Sequence, residues 1–191
     1  MRSDNFVIVE ADENYNNSVG DIIINTSVEN VENINRVVKV IVAPEYTKLQ
    51  KGDLVLVHHN ILRIQNDISG IERKSMFHIE GNKYWVPLTE VLMYKSSDDS
   101  EGWMSIDPFV FIKAVKVEDF KVGNYLINGA TDSYKGKEKL NGTVSFTNEE
   151  LKHKGVNKGD RVYFTEYSQH EFKIGGDIHY KMKTNDILLK I

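Results

Sequence analysis

Six histidines are the side chains best suited to acid–base or metal chemistry. His58 and His59 are adjacent and run into Asn60. Neighbours on an extended strand face opposite sides, so the two imidazoles are expected to diverge rather than share an ion, and the pair reads as a strand end. His78, His153, His170 and His179 are scattered without H-x-x-x-H or H-x-x-E spacing. His170 and Glu171 beside Tyr167 have the residue types of an acid–base site, and so does any polar surface strand. Asp98-Asp99-Ser100-Glu101 offers carboxylates without the regular ligand positions or turn glycine of a calcium loop, and reads as a solvated linker. The chain has no cysteine, which removes disulfides, thiolate ligands and a cysteine nucleophile together. Neither a phosphate-binding glycine loop nor a Gly-x-Ser-x-Gly elbow is present. These residues predict no enzyme, no metal and no cofactor.

A different chemistry, apolar recognition, is carried by Ile22-Ile23-Ile24. This triplet lies within Asn14 to Asn35, a stretch with seven asparagines, one glycine and no proline. So polar a frame pays a large ordering entropy if held rigid. The triplet is either a buried strand or an anchor that orders on entering a partner's groove. Tyr125-Leu126-Ile127 is a second apolar triplet, followed by Gly129 and the Lys-rich stretch Lys135 to Lys139. It either contacts a partner or packs on its own domain. The clusters Lys135, Lys137, Lys139 and Lys152, Lys154, Lys158 have little aromatic interleaving. With 24 Lys and Arg against 28 Asp and Glu, a net charge of −4 and a pI of about 5.9, no basic field attracts phosphate backbones. Nucleic acid is not an expected partner.

The elements that must position these residues are strands. Phe6–Val9, Val37–Val42, Leu54–Val57 and Val91–Tyr94 are short β-branched or aromatic runs between Gly, Asn and Asp clusters. A second set follows: Phe109–Ile112, Val144–Phe146, Arg161–Phe164 and Ile187–Leu189. The best helix signal is one turn at Thr147–Leu151, with Thr147 as cap and Glu150 three residues on. No apolar run approaches the ~20 residues of a membrane span, and Met1 to Asn5 lack the layout of a signal peptide. The expectation is a soluble, cytoplasmic, all-β protein with no membrane partner.

The two sets align. Phe6-Val7-Ile8 lies over Phe109-Val110-Phe111, and Val19-Gly20-Asp21-Ile22-Ile23 over Val122-Gly123-Asn124-Tyr125-Leu126, both 103 residues apart. Lys51-Gly52-Asp53-Leu54-Val55 matches Lys158-Gly159-Asp160-Arg161-Val162 at 107, and Thr89-Glu90-Val91-Leu92 matches Asn185-Asp186-Ile187-Leu188 at 96. In Gly-Asp-x-Val the glycine supplies an unusual backbone angle and the aspartate bonds the turn. The chain therefore reads as a tandem repeat: a first β-barrel over 1–95, a linker over 96–103 and a second barrel over 104–191.

A Val-Ile-Val strand, a polar loop ending in Gly-x-Ile-Ile-Ile, an alternating strand, a Lys-Gly-Asp-x-Val strand and a closing Asp/Glu-Ile/Val-Leu strand resemble the GroES (chaperonin-10) family of co-chaperonins, once per half. Two fused copies resemble the double-domain co-chaperonins of plastids, and the Asn-rich loop resembles a bacteriophage-encoded version. The family's second loop glycine is Asp21 in one half and Asn124 in the other. Ala43-Pro44 replaces the glycine usual after the third strand, and Ser69–Ser75 is an insertion.

The resemblance implies two tandem GroES-like β-barrels and a non-enzymatic co-chaperonin assembled as a homo-oligomeric ring. It would cap an ATP-dependent GroEL-type chaperonin in the cytoplasm, the host's if phage-encoded, and assist folding. The chaperonin's apical domains would take Ile22, Ile23 and Ile24, and on the second repeat Tyr125, Leu126 and Ile127. Several weak loops on one ring gain by effective concentration. The other reading is a structural or assembly protein, as of a phage particle, built on the same duplicated barrel.

Overall fold

Runs of four to six β-branched or aromatic residues fit a pleated, half-buried surface far better than a helix, and here they pair antiparallel. The computed structural model describes residues 5–11, 18–19, 22–23, 36–66, 68–98, 102–114, 120–122, 125–127, 140–165, 170–174 and 177–190. Along the first half of the chain run β1 (Phe6–Glu10), β2 (Ser18–Val19), β3 (Ile22–Ile23), β4 (Val37–Val42), β5 (Leu54–Val57) and β6 (Ile64–Asn66). They are followed by β7 (Glu72–Lys74), β8 (His78–Glu80), β9 (Lys83–Pro87), β10 (Val91–Lys95) and β11 (Trp103–Ser105). The second half holds β12 (Phe109–Ala114), β13 (Phe120–Val122), β14 (Tyr125–Ile127), β15 (Asn141–Phe146), α1 (Glu149–His153), β16 (Arg161–Phe164), β17 (His170–Ile174), β18 (Asp177–Lys183) and β19 (Ile187–Lys190). The fold class is all-β, and the chain divides into two units, Met1–Met104 and Ser105–Ile191.

The first unit is built on a sheet of order β11-β10-β5-β4-β1-β9-β8. Its core takes the inward residues of the central strands, with Val7, Val9, Val40, Val55, Val57 and Val86 fully buried. The second unit is built on a sheet of order β17-β18-β12-β15-β16-β19. Val110, Ile112, Val144, Val162, Phe164 and Met182 form its core, closed from one end by Leu151 of α1.

β11 aside, the two orders are the same, strand for strand. Their registers agree as well. Ile8 faces Val42 and Val9 faces Val40 across β1 and β4, with a bulge between Ile8 and Val9. Phe111 faces Phe146 and Ile112 faces Val144 across β12 and β15, with a bulge between Phe111 and Ile112. β1 meets β9 from Phe6–Pro87 to Glu10–Lys83, as β12 meets β18 from Phe109–Lys183 to Lys113–His179. The Lys-Gly-Asp turns also coincide. Gly52 and Gly159 hold φ of 101° and 92°, the left-handed region open to glycine. The following carboxylates close the turn, Asp53 Oδ2 accepting from Gln50 N at 2.8 Å and Asp160 Oδ2 from Asn157 N at 2.7 Å.

Two local expectations are corrected. The cap of α1 is Asn148, not Thr147. Asn148 Oδ1 accepts from Leu151 N at 2.8 Å while its Nδ2 donates to Phe109 O at 2.9 Å and Thr184 Oγ1 at 2.7 Å. A threonine hydroxyl cannot span all three. The rings of His58 and His59 do not diverge: their centroids are 4.1 Å apart at 37°. β5 ends at Val57, His58 caps a 3-10 turn over His59–Ile61, and its Nδ1 accepts from Asn60 N at 3.3 Å. The alternation rule therefore stops applying one residue before the pair.

Candidate partner-binding hairpins

The first apolar triplet begins in a two-strand ladder. β2 pairs antiparallel with β3, Ser18 facing Ile23 and Val19 facing Ile22, with Gly20 and Asp21 between them in the chain. Ile24 lies outside the described residues. The second triplet is β14 in its entirety. Tyr125 faces Val122, Leu126 faces Lys121 and Ile127 faces Phe120 of β13, and Gly123 and Asn124 intervene. Gly followed by Asp or Asn between two short runs is a two-residue hairpin signal. Both ladders also form small sheets of their own, β2 with β3 and β13 with β14, separate from the main sheet of either unit.

The pairing Val19–Ile22 in one hairpin is the pairing Val122–Tyr125 in the other, 103 residues on. The structure thus brings five of the six predicted contact residues into two hairpins at equivalent positions. Each hairpin follows the first strand of its unit's main sheet in the chain and precedes the strand that pairs with it, β1 with β4 and β12 with β15.

Several titratable groups among the described residues outside the hairpins are engaged in structure. His179 is buried, its Nδ1 3.1 Å from Asp177 O and its ring 5.6 Å from that of Phe146. Burial pushes this imidazole below its ordinary range, partly offset by Asp177. Asp160 is held below the usual carboxylate range by the Asn157 amide and by Lys190, 2.6 Å away. The Lys154 ammonium lowers Glu150, and Lys83 lowers Glu80. His58 Nδ1 stands 3.9 Å from Glu90 Oε2. Among the described residues no three His, Cys, Asp or Glu converge on a metal position, and no helix is long and apolar enough to cross a membrane.

Residues 108–191 match the family model of the Chaperonin 10 Kd subunit. That span runs from the residue before β12 through β19, so the match covers the whole main sheet of the second unit together with the β13–β14 hairpin. It supports a GroES-family domain over the second half of the chain. No curated protein matches the chain.

Two features escaped the residue-by-residue reading. Ile68 and Ile71 are exposed between β6 and β7, Ile71 inside the insertion Ser69–Ser75 and Ile68 just ahead of it, a segment that sequence alignment of the halves isolates without giving it a shape. Leu188 and Leu189 of β19 are exposed as well. Their sequence, Ile-Leu-Leu, is that of a core strand, and only the neighbours across the sheet decide otherwise.

Proposed function

We propose that the chain is a tandem co-chaperonin, a GroES-type domain over about 1–95 joined through 96–103 to a second over 104–191. It assembles into a homo-oligomeric ring and caps an ATP-driven chaperonin in the cytoplasm. The observation that carries this reading is the Chaperonin 10 Kd subunit match over residues 108–191. The first unit joins the reading because its strand order, bulge and Lys-Gly-Asp turn repeat those of the second.

Ile22, Ile23 and Ile24 are the anchor on the first domain, with Tyr125, Leu126 and Ile127 as its counterpart on the second. A short hairpin presenting apolar residues enters a groove between helices at modest affinity, and repetition around a ring multiplies that affinity through effective concentration. Release then needs only a modest change in the groove, which ATP turnover in the partner supplies. The co-chaperonin itself performs no bond chemistry.

The test is nucleotide-dependent co-migration with a bacterial chaperonin, the native chain against Ile22→Ser, Ile23→Ser, Ile24→Ser combined. Binding with ATP or ADP that disappears in the triple variant is expected. A native chain that fails to bind under either nucleotide would transfer the reading to a structural or assembly role.

A further inference from the structure

The first unit carries a further small hairpin, for which the second has no counterpart among the described residues. β6 pairs with β7, Ile64 facing Lys74, Gln65 facing Arg73 and Asn66 facing Glu72. The pair forms a sheet of its own, as β2–β3 and β13–β14 do. In the second unit β16 is followed in chain order by β17. Between β6 and β7, Ile68 is fully exposed and Ile71 is 60% exposed. Tight connections favour Gly, Asn, Asp and Ser, and Ser69 and Gly70 already supply that chemistry here, Gly70 with φ of 76°. The two isoleucines beside them belong to no core, and most of their apolar area faces water.

Topology roots this hairpin at the same end of the first sheet as β2–β3. β1 ends at Glu10 on the way to β2, and β4 returns from β3 at Val37. β5 runs antiparallel to β4 and ends where β4 begins, Val57 N donating to Arg36 O at 3.0 Å. The chain therefore leaves the sheet for β2 and for β6 at one end. The turn between β8 and β9 joins the two departures. Ala11, just after β1, donates its N–H to Asn82 O at 2.9 Å and accepts from Asn82 Nδ2 at 2.8 Å. The neighbouring Gly81 O accepts from Lys74 Nζ of β7. The buried Ser75 Oγ, just after β7, donates to Ile61 O ahead of β6 and closes the base of the hairpin.

We infer that the β6–β7 hairpin is an additional anchor of the first unit, Ile68 and Ile71 entering an apolar groove of the same chaperonin partner that takes Ile22 and Ile23. The inference rests on the co-chaperonin reading and on the common root of the two hairpins. Two anchors on one unit bind as a linked pair, the first contact raising the effective concentration of the second.

The test is equilibrium binding to a bacterial chaperonin with ATP or ADP, for the native chain, I68S/I71S and I68L/I71L. Because both positions are exposed, both variants should keep the native far-ultraviolet spectrum and, without chaperonin, the native sedimentation. I68S/I71S should weaken binding at least about tenfold, the worth of one buried aliphatic side chain, and I68L/I71L should restore it. Since the chain has no cysteine, S69C accepts a single solvent-sensitive dye beside both isoleucines, and its emission should shift to the blue in the complex. A native chain that binds, with I68S/I71S binding equally well, would overturn the inference and leave the co-chaperonin reading standing. A native chain that binds under neither nucleotide would overturn both. Altered sedimentation of I68S/I71S alone would assign the hairpin to a contact between copies. A blue shift with a chemically unfolded polypeptide in place of chaperonin would assign it to client capture, and either result would overturn the inference.

Discussion

Asn148 holds together three parts of the second unit from one buried side chain. Its oxygen caps α1 and its amide ties Phe109 O to Thr184 Oγ1. Asn148→Ala removes the cap and leaves buried acceptors unsatisfied, and should cost about 2–3 kcal/mol of unfolding free energy in urea titration. Sequence pattern places the cap one residue early, because Thr147 with Glu150 has the spacing of a capping box, while the tie from Asn148 to Phe109 and Thr184 spans 39 and 36 residues. His179 gives a second test. With its folded value below the unfolded 6.5, the unfolded chain binds the proton more readily as pH falls through that value. Its contribution to stability is complete above 6.5 and is lost progressively below it. Urea midpoints should fall between pH 7 and 5, with a shallower fall in His179→Gln.

At the scale of elements, the bulge between Phe111 and Ile112 and the strand opposite it fix which residues face the core. A slip of one residue would turn every side chain to the other face. Gly142 lies on that opposite strand, and a Cβ there would collide with the Ile112 side chain and come within 2.7 Å of Lys113 O. Gly142→Ala should cost about 1–3 kcal/mol through overpacking, read as a lowered thermal midpoint. The long β-branched runs were legible: Val37–Val42, Leu54–Val57 and Arg161–Phe164 have the bounds their sequences predict. β9 was not, since Lys83-Tyr84-Trp85-Val86-Pro87 mixes charge, aromatics and proline, and only pairing with β1 reveals its alternation. The hairpins were legible as apolar triplets but not as ladders, because strands of two or three residues are too short to show a period.

For the whole molecule, the all-β architecture could be read from spacing, whereas the fate of an edge could not. Val91-Leu92-Met93 and Ile187-Leu188-Leu189 are alike as sequences, but β10 lies between β5 and β11 whereas β19 is the edge of its sheet. Fully covering Leu188 and Leu189 would contribute about 1–2 kcal/mol each at their exposed fractions. β19 is the edge strand of its sheet with Leu188 and Leu189 exposed, and an apolar edge left open invites stray strand pairing between chains unless something caps it.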